Sequence, residues 1–396
     1  MDLWNLINFS GLNNKMRSLR LILTRGKYFA PAFVFATINI IFGTWAIYIP
    51  AITSNLGIDE SQLGWAIFCM ALGTLIMIAI APRLINFLGV GRATTYGIFL
   101  FIFSFVIPFS TGQYFWLLVG MFMVGLCGGF TEVAMNSLVS EVERRDKIHI
   151  MSANHGFFSL GGFFGAGIGG LFLTKHILPI RHLLVVILIL LLVNLLFFKK
   201  YFNVKSEKLE DNTFNFKLIA PVVVLGIIAF FIMATEGAIV DWSALYLKKV
   251  SLAKLSWLGL GFTLFSAFMA LGRFFGDGIS HRFGSKRIIV GGVFLASVGF
   301  SCVLLVDPII ALVGFGLVGL GLSVVVPELF RMAGTTKNLD ASIGIAFVTG
   351  IGFLGFLGGP VLLGFLAELS SLKLSFLALL IFVLISFFAA LTLKKR

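Results

Sequence analysis

Long apolar runs, separated by short charged segments, are the feature that most constrains how this chain folds. The residues Ala, Val, Ile, Leu, Met, Phe, Trp, Tyr and Cys fill 59% of its 396 positions, and charged residues fill only 12%. Soluble domains carry about 45–50% apolar and about 25% charged residues, so this composition argues against a soluble fold. Because about 20 consecutive apolar residues cross a bilayer as a helix, the runs predict an all-α membrane protein. The runs also lack the alternation that a membrane β-barrel requires.

The breaks between the runs predict twelve transmembrane helices. Their expected bounds are 28–50, 61–82, 93–110, 114–138, 150–174, 178–198, 217–246, 254–276, 286–306, 309–333, 341–367 and 371–393. Lys and Arg accumulate in short loops on the cytoplasmic side of a membrane. With both termini inside, the cytoplasmic segments hold 23 basic residues and the outer loops hold 6. The sequence therefore predicts a multi-pass membrane protein with both termini in the cytoplasm.

The longest polar stretch between runs, residues 199–216, divides the predicted spans into six and six. We expect an amino-terminal six-helix bundle over 28–198, a cytoplasmic linker over 199–216 and a carboxyl-terminal six-helix bundle over 217–393. Residues 1–27 are expected to be a cytoplasmic segment, either an interfacial helix or a disordered tail. Residues 394–396 are expected to be a cytoplasmic tail.

A weak internal repeat supports this division. A shift of 195 residues aligns SQLG at 61–64 with SWLG at 256–259, and FLGVGR at 87–92 with RFGSKR at 282–287. Two parallel halves, related by an axis along the membrane normal, are typical of one large class of secondary transporters.

The segment around the end of the eighth predicted span, residues 272–287, reads GRFFGDGISHRFGSKR. Its glycines permit a tight turn, and an aspartate near a helix end can accept hydrogen bonds from a neighbouring helix N-terminus. The segment resembles the loop signature that the major facilitator superfamily carries after helices 2 and 8. This resemblance implies the major facilitator fold, with two pseudo-symmetric six-helix halves. It also implies a cytoplasmic gate, which we assign to Arg273, Asp277, Gly284 and Arg287.

The chain departs from this signature in two places. His281 stands at a position that is usually acidic, and the first copy, APRLINFLG at 81–89, lacks acids. The alternative is that these basic residues only fix the topology.

Three further segments sharpen the resemblance. They are EVAMN at 132–136, SANHGFFSLGG at 152–162 and EGAIVDWSALYL at 236–247. Together they resemble a branch of bacterial inner-membrane facilitators that is distantly related to the fucose permease. The resemblance implies a transporter of the bacterial inner membrane and leaves its substrate open.

Ionisable side chains within the spans point to the chemistry of the site. A charge at the bilayer centre costs at least about 2.5–3.5 kcal/mol, so one that is retained faces a cavity or a partner. Glu132 lies one helical turn from Asn136, and we expect Asn154 and His155 to converge with them at similar depth. Carboxylate and imidazole groups can exchange protons near neutral pH in such surroundings. The predicted proton-coupling residues are therefore Glu132 and His155, with Glu236 as a second carboxylate; the two amides alternatively only join helices.

Polar and aromatic residues in and near the spans form the predicted substrate site. They are Asn39, Trp45, Asn136, Asn154, Asp241, Trp242, Glu328 and Arg331. An aromatic ring beside a carboxylate can bind a sugar or another polar metabolite by stacking and hydrogen bonds. The alternatives are interfacial anchoring for the two tryptophans, helix capping for Asp241, and a purely structural ion pair for Glu328 and Arg331.

The motifs of nucleotide and acyl-transfer enzymes do not occur in a useful context. The pattern GxGxxG occurs three times, but each copy lies in a span, where small residues allow close helix packing. Phosphate-binding loops and a nucleophilic serine pentapeptide are absent from the sequence. We therefore expect no enzyme activity, no metal and no cofactor, with a proton or other ion gradient as the driving force.

The leading hypothesis is a proton-coupled symporter that moves a small polar solute by alternating access. The solute would be sugar-like, or otherwise hydroxylated or anionic. A proton-antiporting exporter of drugs or metabolites is the main alternative, because the 45 Phe residues suit an aromatic cavity. A passive uniporter and a transport-derived sensor also remain open. The expected partners are membrane lipid and the small-molecule substrate, without nucleic acid, and the protein is expected to be a monomer.

Overall fold

The computed structural model describes residues 17–148, 150–173, 178–205, 222–334, 336 and 341–393. These residues are predominantly helical and include no strand. In chain order the α-helices are α1 (Arg17–Thr24), α2 (Gly26–Leu56), α3 (Glu60–Leu88), α4 (Val90–Ser104), α5 (Val106–Ser110), α6 (Tyr114–Asp146), α7 (Met151–Leu173), α8 (Pro179–Phe197), α9 (Val223–Lys249), α10 (Leu260–Phe283), α11 (Ser285–Leu304), α12 (Pro308–Leu322), α13 (Val325–Gly334), α14 (Ala341–Leu369) and α15 (Leu372–Thr392). Short 3-10 turns occur at Phe198–Lys200 and Leu255–Trp257.

Eleven segments of the described chain are long and apolar enough to cross a membrane. Helices α4 and α5 together form one of them, and α12 and α13 form another. The 23-residue helix α7, Met151–Leu173, is not among the eleven, although its length and apolar content resemble theirs. It corresponds to the fifth predicted span, so each of the twelve predicted spans matches a helix or a helix pair. The predicted all-α architecture is confirmed.

Equivalent helix pairs recur in the two parts of the chain. In the first part, α2 packs along α7, and both α3 and α4 pack along α6. In the second part, α9 packs along α14, and both α10 and α11 pack along α12. Helices α2–α8 and α9–α15 therefore form two halves with the same order of spans. The halves meet chiefly where α3 packs on α14 and where α7 packs on α10.

Local sequence signals explain where several spans start and stop. Asp59 caps α3 by accepting from the backbone N–H of Gln62 over 2.7 Å, and the Gln62 side chain accepts from the backbone N–H of Asp59. Asp307 caps α12 by accepting from the backbone N–H groups of Ile309 and Ile310, with Pro308 at the first helical position. Gly57 ends α2 in the left-handed conformation that glycine adopts without strain. We call the end where α2 begins and α15 finishes the terminal end, and the opposite end the far end.

The predicted linker over 199–216 begins with residues that pack on the first half. The backbone N–H of Gly91, at the start of α4, donates to the carbonyl oxygen of Val204 over 3.0 Å. Any side chain at Gly91 would overlap the carbonyl oxygen of Tyr201. The residue Tyr201 is only 2% exposed, so this part of the chain is packed against the bundle. Residues 206–221 of the predicted linker and second bundle, like residues 1–16 and the predicted tail 394–396, lie outside the described residues.

Glycines bring the helices of each half into backbone contact. A Cβ atom at Gly125 of α6 would lie 2.0 Å from the carbonyl oxygen of Met70 on α3. A Cβ atom at Gly161 of α7 would lie 2.3 Å from the carbonyl oxygen of Ala36 on α2. Because lipid tails are as apolar as the side chains, association in the membrane depends on such close packing. A larger residue at these positions must push the helices apart.

Replacing Gly125 by alanine tests this requirement. We expect Gly125→Ala to lower the free energy of unfolding by about 1–3 kcal/mol, because the added methyl group overpacks the contact between α3 and α6. The measurement is the thermal unfolding midpoint of the purified protein in detergent. Gly128→Ala is the matched control on the same helix, since its Cβ atom would meet the ring of Phe101 at an ordinary 3.4 Å. Equal midpoints for Gly125→Ala and the wild type would contradict the prediction.

Candidate functional site

A largely buried ion pair lies near the middle of the bundle. Arg273 is close to the centre of α10, and Glu236 is at the centre of α9. Nη2 of Arg273 lies 3.6 Å from Oε2 of Glu236, and the two side chains are 12% and 14% exposed. Oε1 of Glu236 is buried without a hydrogen-bond partner in the described chain. Each charge lowers the cost of holding the other within a membrane span.

A proline in the tenth span provides a second acceptor for Arg273. In an uninterrupted helix the carbonyl of Ser323 would accept from the backbone N–H of residue 327, but Pro327 has none. The span is interrupted at this point, between α12 and α13. Nε of Arg273 donates to the carbonyl oxygen of Ser323 over 3.4 Å. Gly272 permits the approach of the two helices, because a Cβ atom there would overlap the Ser323 hydroxyl.

The same guanidinium reaches across to the other half. Nη1 of Arg273 donates to Oγ of Ser159 over 2.6 Å and to the carbonyl oxygen of His155 over 3.4 Å. Both residues lie on α7, one helical turn apart. Arg273 therefore bonds at once to α9, to the interruption after α12 and to α7 of the opposite half. The planar guanidinium, with five N–H donors, is suited to several acceptors in fixed directions.

A second intramembrane carboxylate lies on α6. Oε1 of Glu132 accepts from Nδ2 of Asn136 over 2.9 Å, and the same amide donates to the carbonyl oxygen of Glu132. Both side chains are partly exposed although they lie well inside the span. A charged carboxylate is costly to hold in lipid at this depth, and the hydrogen bond from Asn136 lowers that cost.

The two halves touch at the far end. Nζ of Lys249, the last residue of α9, lies 2.5 Å from Oε1 of Glu60, the first residue of α3. Deeper in the bundle, α3 and α14 meet at two glycines, where a Cβ atom on Gly364 would lie 2.8 Å from the Cα atom of Gly64. The conformation is therefore closed at the far end.

Asn154 and His155, which are predicted to converge with Glu132 and Asn136, have other bonding partners in this conformation. The carbonyl of His155 belongs to the group around Arg273, and the His155 ring packs edge-on against Phe35, with ring centroids 5.2 Å apart. The amide of Asn154 is fully buried and donates to a carbonyl of the preceding turn over 2.7 Å. Helix α7 packs along α2 and α10. Among the described residues no hydrogen bond or ion pair joins Asn154 or His155 to Glu132 or Asn136, and the proton-coupling role of His155 stays a prediction.

Four predicted substrate contacts are buried between helices in this conformation. They are Asn39, Trp45, Asp241 and Trp242. Nε1 of Trp45 donates to Oδ1 of Asp241 over 3.4 Å, which adds a contact between the halves. The indole of Trp242 donates to a backbone carbonyl of α14 over 3.0 Å, and the amide of Asn39 donates to a carbonyl of α7 over 2.9 Å. These side chains join helices here and do not line an open cavity.

The predicted pair on the tenth span is present. Nη1 of Arg331 lies 3.1 Å from Oε1 of Glu328, one turn away on α13. The Glu328 side chain is 2% exposed, whereas that of Arg331 is 45% exposed. The pair thus has a buried acid and an accessible base, and its contact with substrate stays a prediction.

The predicted cytoplasmic gate is not a single group of side chains. Arg273 lies ten residues before the end of α10, about 15 Å along the axis, so it reaches α9 and α7 and not the turn. Gly284 makes the expected turn, with a φ of 78°, and caps α11. Arg287 is exposed in the first turn of α11. The side chain of Asp277 lies outside the described part of the structure, and its role stays a prediction.

Ser159 and Ser323 are the members of the site that sequence reasoning missed. Ser159 follows His155 by four residues, so the two share a helix face. Ser323 precedes Pro327 by four residues, and a proline in a helix frees the carbonyl at that spacing. Both signals are visible in the sequence, but neither indicates that Arg273 is their partner. In the described residues, no group of three or more His, Cys, Asp or Glu is placed to hold a metal ion.

Known proteins with similar sequences are membrane transporters or membrane proteins. The family model described as Major Facilitator Superfamily matches residues 31–338. An uncharacterized MFS-type transporter of Yersinia pestis is 28% identical over 333 residues, which cover 84% of this chain and 86% of the relative. Membrane protein MosC of Rhizobium meliloti is 29% identical over 343 residues, which cover 86% of this chain and 83% of the relative.

Solved transporter structures share the fold at low sequence identity. The nucleoside transporter NupG superposes with a TM-score of 0.71 over 94% of this chain and 100% of its own, at 11% identity. A bacterial homolog of the human lysosomal transporter Spinster, in an inward-facing conformation, gives a TM-score of 0.66 over 92% of this chain and 95% of its own, at 13% identity. Such identities establish the fold alone. The match of the family model over most of the sequence, on a helical fold whose described residues form two equivalent halves, shows that the chain belongs to the major facilitator superfamily.

Proposed function

We propose that this protein is a proton-coupled symporter of a small polar solute in the bacterial inner membrane, with both termini in the cytoplasm. The observation that carries this proposal is the position of the Glu236–Arg273 pair. It lies where Arg273 also bonds to α7 of the other half. Because this carboxylate can gain or lose a proton, its charge can change the strength of the contact between the halves.

Protonation of Glu236 removes the negative charge that faces Arg273. The guanidinium then keeps only neutral acceptors, at Ser159, His155 and Ser323. The relative free energies of the conformations open at either end change as a result. A proton gradient can in this way bias one opening over the other, which is what alternating access requires.

Glu132 and Asn136 are the proposed meeting point of proton and solute. Together they offer carboxylate and amide groups, and both are accessible at mid-span. Arg331 adds an accessible cation on α13. Hydroxyl groups both donate and accept hydrogen bonds, so a sugar-like or other hydroxylated solute suits these side chains. A nucleoside, the solute class named for NupG, is one such solute to test.

Replacing Glu132 by glutamine tests whether this carboxylate carries the coupled proton. We expect Glu132→Gln to abolish accumulation of solute against a gradient and to leave counterflow exchange within about twofold of the wild type. Glutamine can keep a hydrogen bond to Asn136 but cannot bind and release a proton. The measurement is uptake and membrane current in proteoliposomes, with sugars, nucleosides, amino acids and organic acids as solutes.

The matched control is Glu141→Gln, on the same helix near its terminal end, where the carboxylate pairs with Arg144. This variant should accumulate solute as the wild type does. Retained accumulation in Glu132→Gln would contradict the assignment of Glu132. Silence of the wild type across the panel, together with proton-driven efflux of dyes, would favour the exporter alternative.

The balance of charge in the Glu236–Arg273 ion pair gives a second test. Arg273→Gln leaves Glu236 without its ionic partner, and breaking a buried pair typically costs about 3–5 kcal/mol. We expect this variant to unfold at a much lower temperature than the wild type in detergent. The double variant Glu236→Gln/Arg273→Gln should recover most of the lost stability but show no accumulation. A double variant no more stable than Arg273→Gln would contradict the ion pair as the reason for the loss.

A further inference from the structure

The terminal end of the first half carries exposed cations that the proposed transport site does not use. Arg20 lies within α1 and Arg25 directly follows that helix, while Lys199 and Lys200 lie in the turn that follows α8; all four are exposed. The two helix ends are neighbours, because a Cβ atom at Gly26 would lie 3.9 Å from Cε of Lys200. We call these four residues the basic cluster.

Acids of the same half at this end are engaged elsewhere. Asp146 lies 2.9 Å from Nζ of Lys27. Glu141 lies 2.6 Å from Nη2 of Arg144. The carboxylate of Glu143 accepts from two backbone N–H groups before and at the start of α7. Among the ion pairs formed by described residues, none includes a member of the basic cluster, so its positive charge is not compensated there.

Apolar side chains beside the basic cluster point away from the bundle. Leu23 on α1 is 63% exposed, and Leu196 on the last turn of α8 is 74% exposed. On the other side of α1, Ile22 is fully buried, and the helix packs on α2 and α7. A short helix with one buried face, an exposed leucine and exposed arginines matches a segment that lies at the membrane surface.

We propose that the basic cluster binds the headgroup of an anionic phospholipid whose acyl chains lie against Leu23 and Leu196. Arginine side chains can bind phosphate through paired N–H groups, and lysines add point charges. Basic residues next to a span are attracted to anionic lipid at the membrane surface. A zwitterionic phospholipid brings its own cation to the same place and is bound less tightly. The proposal stands independently of the transported solute.

Native mass spectrometry of the purified full chain in detergent tests the proposal. The protein is titrated with phosphatidylglycerol or with phosphatidylcholine of the same acyl chains. We expect the wild type to bind phosphatidylglycerol about tenfold more tightly than phosphatidylcholine, and the triple variant Arg25→Gln/Lys199→Gln/Lys200→Gln to lose this preference. The matched control, Arg83→Gln/Arg92→Gln/Lys147→Gln, removes three exposed cations from the same end outside the basic cluster and should keep it.

Two results would overturn the proposal. One is an unchanged preference for phosphatidylglycerol in the cluster variant. The other is an equal loss of this preference in both triple variants, which would show that lipid binding depends only on the total charge of this end. Thermal unfolding midpoints establish that both variants are folded. Should the cluster variant fail to fold, Arg25→Gln and Lys200→Gln are measured singly, and each is expected to reduce the preference about threefold.

Discussion

Helices in a bilayer gain little from hiding apolar surface, and the architecture of this protein depends on that constraint. Lipid already surrounds every apolar side chain, so stability must come from close packing and from polar contacts. The glycines on α6 and α7 provide the close packing within the first half, and Gly355 does so in the second, where a Cβ atom would overlap a carbonyl of α9. Gly162 allows equally close packing between the two halves, since a Cβ atom there would lie 2.8 Å from Oγ of Ser266 on α10.

Polar contacts between the halves differ in strength because they differ in exposure. The Lys249 and Glu60 side chains at the far end are 47% and 19% exposed, and water screens such a pair to about 0–1 kcal/mol. The ion pair of Arg273 lies inside the span, and its two side chains are only 12% and 14% exposed, so water screens it less. Opening the far end therefore meets little resistance from its ion pair. Arg273 is therefore the less screened of these contacts between the halves.

The fold could be predicted almost completely from the sequence, and the site only in part. Apolar runs identify spans because a bilayer imposes a length, and helical spacing alone pairs Glu132 with Asn136 and Glu328 with Arg331. Spacing does not report the rotation of a helix about its axis. Polar residues on α7 can face several neighbours, and only the packing of α7 on α2 and α10 places the His155 ring against Phe35. The reach of Arg273 depends likewise on neighbours that are distant in sequence.

The interruption after α12 makes the two halves mechanically unequal. The fourth span is one continuous helix of 33 residues, α6. Its counterpart, the tenth span, consists of the 15-residue helix α12 and the 10-residue helix α13, with a break between them. A continuous helix tilts as one body, but the two parts of an interrupted helix can change their orientation separately. The fourth span can therefore tilt as one piece, while the tenth can bend at the point where Arg273 meets Ser323.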